Sequence, residues 1–187
     1  MLDKIIALDT QLFIYLNSLG SPAFDNLWLF ITKQANWAPF FILLGFLIYK
    51  KLGVKKLGIS VIFIALLLLV CNESVELCKI TFERTRPCNN PEIMNLIRIV
   101  HHSKTFSFFS GHAANSMASM TFLYLILKKY FRYSFLVFLY PLIFAYSRIY
   151  LGVHYPSDIL TGYFFGTLMG IFFYKMYLYF LSRMQIK

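Results

Sequence analysis

Residues 59–70, ISVIFIALLLLV, run without a charged side chain, and similar apolar runs recur along the chain with small basic clusters between them. A helix that crosses a bilayer needs ~20 mostly apolar residues, and several of these runs reach that length. They predict an all-α integral membrane helical bundle. Composition agrees. The chain is 59% hydrophobic and 14% charged, whereas a soluble domain carries about a quarter of charged residues. A single domain over residues 1–187 is expected.

Residues 2–19 place Leu2, Ile5, Ile6, Leu12, Phe13 and Leu16 at roughly helical spacing, with Asp9 in the middle. The stretch is too short and too polar to span. It reads as an amphipathic helix lying in the interface, ended by Gly20-Ser21-Pro22. About five spanning helices follow, making six helices in all: Ala23–Tyr49, Leu57–Phe82, Gly111–Leu127, Tyr133–Tyr150 and Asp158–Leu181. Pro39 either kinks the first span or starts a second helix there. Lys50, Lys51, Lys55 and Lys56 read as a basic loop. Residues 83–109 form the longest polar connection, a length that often carries function, with a short helix expected at Ile93–Val100. Small residues early in the third span (Ala113, Ala114, Ser116, Ala118, Ser119) favour close helix approach in lipid.

The net charge of +10 would point to nucleic acid in a soluble protein. Here topology accounts for it, and no nucleic-acid partner is expected. The clusters at 50–56 and 128–132 and the tail with Arg183 and Lys187 contain no acids, and they face the cytoplasm by the positive-inside rule. The opposite side is basic too, against that rule, so its cations need another reason. A bound anion supplies one. Cys71, Cys78 and Cys88 are odd in number and lack C-x-x-C spacing, so neither a full set of disulfides nor a zinc site is indicated. Cys71 and Cys78 read as packing residues. The first residues, with Asp3 and Lys4, lack a cleavable signal pattern, and the mature chain is expected to begin near Met1.

Three clusters carry the chemistry, and all fall on the side away from those basic loops. They are KITFERTRP at 79–87, FSGH at 109–112 and SRIYLGVHYPSD at 147–158. Ionisable groups this close to membrane segments mark a functional site. Lys79, Arg86 and Arg148 suit a phosphoryl group, since Arg offers a bidentate fork and Lys a point charge. Lys79 also shares a helical face with Glu76, so a plain ion pair is the other reading of it. Ser110 and Gly111 open a helix whose free N–H groups attract anions. Asp158 lies four residues after His154 at a helix start. It can hold one imidazole nitrogen and leave the other free to attack, with His112 available as the acid for the leaving oxygen. Glu73, His101, His102 and Lys104 are open as to role. No metal site is indicated.

Lys79 with six residues to Arg86-Pro87, then Ser110-Gly111-His112, then Ser147-Arg148 with five residues to His154 and three to Asp158, resemble the tripartite signature of the type 2 phosphatidic-acid phosphatase superfamily. One position departs: Phe109 stands where the family usually has Pro. The resemblance implies a metal-independent lipid phosphatase without cofactors. The residue matching His154 would form a phosphohistidine, Asp158 would orient it and His112 would protonate the leaving group. Lys79, Arg86, Ser110, Gly111 and Arg148 would hold the phosphate. It further implies a cell-envelope substrate: undecaprenyl diphosphate or a lipid A phosphate first, phosphatidylglycerol phosphate or phosphatidic acid also. The small size points to a bacterial inner membrane, with the site facing the periplasm or cell exterior. A non-enzymatic anionic-lipid binder, scramblase or transporter is the alternative. It would use the cations but has no need of His154, Asp158 and His112 together.

Overall fold

The computed structural model describes residues 2–185, so Lys187 of the basic tail lies outside the described residues. The chain is all-helical, with six α-helices: α1 (Leu2–Ser18), α2 (Asp25–Ile31), α3 (Ala38–Phe82), α4 (Gly111–Leu127), α5 (Leu139–Tyr150) and α6 (Pro156–Arg183). Short 3-10 turns precede α2, α3 and α5.

The expected first span, Ala23–Tyr49, is not one helix. It is divided among α2, a 3-10 turn at Gln34–Trp37 and the first limb of α3. Pro39 sits in the first turn of α3, where its missing N–H costs nothing and its fixed φ suits the helix. It starts a helix rather than kinking one. The basic stretch 50–56 is not a loop either. Helix runs through it on both sides of Gly53, which alone breaks it at φ 78° and ψ 173°, a conformation that glycine adopts without a steric penalty. Two apolar limbs, 38–52 and 54–82, result. The expected helix at Ile93–Val100 is a run of turns. Its backbone groups bond locally, to the Asn17 side chain at Arg98, and to Leu151, whose carbonyl accepts from the N–H groups of Val100 and His101.

α4 is the central column, packed against α3, α5 and, most extensively, α6. Its small residues meet a glycine stripe on α6, Gly162, Gly166 and Gly170. A Cβ on Gly162 would sit 2.8 Å from the Ser110 carbonyl oxygen, and one on Gly170 would sit 2.7 Å from that of Ala118. Any side chain there would push the helices apart. Ser116 and Ser119 donate their hydroxyls back to the carbonyls of His112 (2.6 Å) and Asn115 (2.8 Å), so neither needs water inside the bundle. Ile42, Leu77, Ile80, Leu160 and Phe164 stand more than 60% exposed on the outer faces of α3 and α6. An apolar belt of this kind suits lipid as the surrounding medium. By length and apolarity, the stretch Gln34–Asn89 and α6 qualify as membrane spans.

α1 is fastened rather than loosely laid on the surface. Asn17 is fully buried. Its amide donates to the carbonyls of Arg98, Ile149 and Tyr150 at 3.0–3.1 Å, and its oxygen accepts from the Arg98 N–H at 2.7 Å. Phe13 packs edge-on against Tyr155, with ring centroids 5.4 Å apart. All three cysteines are free. Cys88, in the polar connection, is as buried as Cys71.

Candidate active site

The C-terminal ends of α3 and α5 and the N-terminal ends of α4 and α6 meet at one end of the bundle, and each brings part of the site. Ser110 caps α4, its hydroxyl accepting from the Ala113 N–H at 3.4 Å, the ordinary use of serine at that position. Its own N–H donates to the Asp158 carbonyl at 3.1 Å, which ties the second cluster to the third. Gly152 turns the α5–α6 connection at φ 85°. A Cβ there would lie 2.8 Å from the Arg98 carbonyl oxygen, so only glycine lets this turn press against the polar connection.

Asp158 is completely buried and fully engaged. Its Oδ2 accepts from the Tyr155 N–H at 2.9 Å, as a carboxylate in the first turn of a helix does, and also from the Ser107 hydroxyl. His154 Nδ1 lies 3.3 Å from the same oxygen. On the far side of the ring, Arg86 Nη1 lies 3.0 Å from His154 Nε2. A guanidinium can only donate, so Nε2 must present its lone pair and the proton must sit on Nδ1, toward Asp158. The tautomer is thereby fixed from both sides. Burial pushes the His154 imidazole below its ordinary value, to about 4, with Asp158 pulling the other way. The ring is neutral at physiological pH, with its free lone pair aimed at a cation. That is the state a nitrogen nucleophile needs.

Arg86 is held by neutral acceptors: the Thr105 carbonyl and hydroxyl at 2.7 and 2.8 Å and the Val153 carbonyl at 2.9 Å. Arg148 is buried and reaches the Thr32 hydroxyl at 2.7 Å, while its Nε finds no partner among the described residues. His112 stacks on Phe144, with centroids 4.8 Å apart, and lies close enough to Arg148 and Arg86 to feel their charge. Gly111, His112 and Lys79 line one cavity. Lys79 is paired with Glu76 at 2.6 Å, so the plain ion-pair reading of these two also holds. Glu73, His101, His102 and Lys104 are exposed, and partial burial together with the nearby Arg148 and Arg86 holds the His101 imidazole below its ordinary pKa.

A family model described as the PAP2 superfamily matches residues 56–182. The chain belongs to the PAP2 superfamily. It is therefore a hydrolase of the lipid phosphatase kind. It is 30% identical over 97% of its length to the lipid A 4'-phosphatase of Porphyromonas gingivalis, covering 78% of that protein. It is 32% identical over 93% of its length to the lipid A 4'-phosphatase of Bacteroides thetaiotaomicron, covering 79%. Among solved structures it resembles the PAP2-type phosphatidylglycerolphosphate phosphatase of Bacillus subtilis, with a TM-score of 0.71 at 18% identity over 92% of this chain and 86% of that one. It also resembles Aquifex aeolicus LpxE, with a TM-score of 0.63 at 25% identity over 90% and 95%.

Phe109, where PAP2 proteins usually carry proline, is buried against Phe165 and beside Val75 and Ala114. Side-chain packing thus anchors the segment before the Ser-Gly-His motif. Arg84, inside the spacer of the first PAP2 motif, was not singled out from the sequence. It donates to Asp158 Oδ1 at 2.6 Å and to Ser157 Oγ at 2.7 Å from one nitrogen, and to Asp9 Oδ2 at 2.7 Å from another. It also lies over the Tyr155 ring, 4.1 Å from its centroid. Asp9 accepts in turn from the Ser157 N–H at 2.9 Å. Ser107 was missed as well. The available signal was Asp9 itself, because a carboxylate in the middle of an amphipathic membrane helix calls for a cationic partner.

Proposed function

We propose that this protein removes a phosphate from lipid A through a phosphohistidine intermediate, at the outer face of a bacterial inner membrane. The observation that carries the mechanism is His154, gripped at Nδ1 by Asp158 and presenting its Nε2 lone pair to Arg86. Nε2 attacks phosphorus while the bond to the leaving oxygen breaks, and His112 gives that oxygen its proton. Water then attacks phosphorus, the N–P bond breaks and the water proton passes to His112. Arg86 and Arg148, with Lys79, the Ser110 hydroxyl and the open N–H groups of the Gly111 turn, stabilise charge on the equatorial oxygens. Fixed cations serve here as Mg²⁺ does elsewhere. Among the described residues no three of His, Cys, Asp and Glu are grouped as a metal would require.

Five apolar limbs are proposed to span: both limbs of α3, then α4, α5 with its preceding turn, and α6. The site lies at the end opposite Gly53 and the cluster Lys128, Lys129 and Arg132, and the positive-inside rule places those in the cytoplasm. Identity to two lipid A 4'-phosphatases supports the choice of substrate. Undecaprenyl diphosphate is the second reading, supported by a 27% identical undecaprenyl-diphosphatase of Sulfolobus acidocaldarius that matches 88% of this chain and 76% of its own. The test is phosphate release by detergent-solubilised protein from lipid A, undecaprenyl diphosphate, phosphatidylglycerol phosphate and phosphatidic acid, each with EDTA. Turnover greatest on lipid A and indifferent to chelation is expected. Loss of activity restored by Mg²⁺ or Zn²⁺ would overturn the mechanism.

A further inference from the structure

In an in-line displacement the leaving oxygen departs on the side of phosphorus away from the nucleophile. With His154 on one side, the body of the leaving group must lie beyond His112. A cavity of about 380 Å³ opens there, within the ~300–1,000 Å³ usual for ligand pockets. His112, Gly111 and Lys79 border it and His154 does not. It follows the groove between α3 and α4 from Gly111 to Leu123, a helical distance of ~18 Å. Its character changes along that path. Near His112 it is lined by Asn72, Glu76 and Asn115. Farther in it is lined by Ile64, Leu68 and Leu123.

We propose that this cavity is the leaving-group subsite, and that Asn115 and Asn72 read a hydroxyl- or amide-bearing sugar there while the apolar floor takes hydrocarbon. The proposal rests on the reading of His112 as the leaving-group acid. Asn115 Nδ2 donates to Asn72 Oδ1 at 2.6 Å, while Asn115 Oδ1 is buried with no partner among the described residues. Whichever way the amide is turned, one of its polar atoms is left over. A sugar hydroxyl, both donor and acceptor, satisfies either case. Ser116 and Ser119 are committed to their own helix, so the asparagines are the free readers at this depth. Glu76 argues against a diphosphate. A second phosphate on the leaving side would bring further negative charge next to a carboxylate whose one cation, Lys79, is needed at the first phosphate. A polyprenyl chain would also leave both amides facing hydrocarbon, an expensive arrangement.

The experiment compares kcat/KM of the full-length, detergent-solubilised enzyme on lipid A, phosphatidic acid and undecaprenyl diphosphate. Wild type is set against Asn115→Ala and Asn72→Ala. The expected result is a fall of about tenfold in the ratio of lipid A to phosphatidic acid in each variant, since a site built to hydrogen-bond a hydroxyl discriminates by that bond. Glu76→Gln should raise diphosphate turnover relative to lipid A. Should Asn115→Ala not fold, Asn72→Ala tests the same contact from α3. Unchanged ratios in an active enzyme, or a wild-type preference for the polyprenyl diphosphate, would overturn the subsite alone. Failure of wild type to release phosphate from any of these lipids would overturn the phosphatase reading and the subsite with it.

Discussion

Replacing Arg84 with alanine removes two ion-paired hydrogen bonds at once, one to Asp158 and one to Asp9, together with a third to the Ser157 hydroxyl. Asp158 would keep its three contacts on Oδ2 and lose the donor on Oδ1. Breaking a fully buried ion pair from one side costs ~3–5 kcal/mol. The Arg84 side chain is 24% exposed, so water recovers part of this, and ~2–3 kcal/mol is the reasonable charge for the variant. Some of that appears as lost stability. If about half appears as a loosened carboxylate under His154, the rate falls about tenfold, since 1.36 kcal/mol is a factor of ten.

The assay is phosphate release at saturating lipid, with kcat and KM resolved and folding checked by thermal denaturation in the same detergent. A positioning role predicts a fall in kcat of about tenfold with little change in KM, because Arg84 is proposed to act through Asp158 and not on phosphate. Arg84→Lys should recover part of the rate, since an ammonium keeps the charge but lacks the planar fork whose two nitrogens reach the separate carboxylates. Asp9→Asn should cost less than Arg84→Ala, because the pair with Asp158 survives. A folded Arg84→Ala enzyme whose kcat stays within about twofold of wild type would refute the reasoning, and so would a defect confined to KM.

His154→Ala should abolish turnover while leaving the bundle folded, and residual phosphate release near the wild-type rate would remove the nucleophile assignment. Arg148→Lys should be severely impaired despite keeping its charge, because a lysine lacks the planar fork; kcat/KM on the preferred lipid measures this. The acid limb of activity should lie well below pH 6.5, because burial holds His154 neutral until pH falls toward about 4. The unfolded chain takes up that proton near 6.5, so the folded state loses stability as pH falls from 6.5, and inactivation must be measured separately from the pH–rate profile. An acid limb assigned to His154 near pH 6.5 would contradict the burial argument. In a background lacking Cys71, Cys78 and Cys88, Lys55→Cys and Lys129→Cys should resist a membrane-impermeant thiol reagent in intact cells, and Lys104→Cys should react; the reverse pattern would put the site in the cytoplasm.

Most of the candidate site residues were legible because ionisable side chains stand out in an apolar chain, and because their spacing within each cluster matches a family signature, whereas Arg84 and Ser107 were not. The helix starts at Gly111 and near Asp158 were legible from serine, glycine and proline punctuation. The first span was not. Lys50, Lys51, Lys55 and Lys56 look like a loop, yet lysine is a good helix former, and a single unusual backbone conformation at Gly53 lets helix resume at once. Long-range polar clasps were the other blind spot. Asp9 and Arg84 are 75 residues apart and Asn17 and Tyr150 are 133 apart. No local periodicity links such pairs. The glycine stripe at Gly162, Gly166 and Gly170 has a regular spacing of four, but its meaning depends on the small face of α4 that it meets.

The pairing of each cation separates those that can receive phosphate from those that hold the fold. Arg84 and Arg98 lie beside carboxylates, Asp9 with Asp158 in one case and Asp25 in the other. Their charge is already spent, and moving Arg84 to a ligand would strand the fully buried Asp158. Arg86 and Arg148 have no carboxylate within ion-pair distance among the described residues, and carbonyl, hydroxyl and imidazole groups hold them instead. Two buried guanidiniums compensated only by neutral groups are costly to maintain, and that cost is relieved when a dianion arrives. Lys79 stands between these cases, because its partner Glu76 is 62% exposed and water already screens much of that pair's attraction. Sequence spacing alone could not rank Arg84 and Arg86, which lie two residues apart in the same motif. Their partners do: Arg84 braces the carboxylate beside His154 Nδ1, and Arg86 faces His154 Nε2, the nitrogen proposed to attack phosphorus.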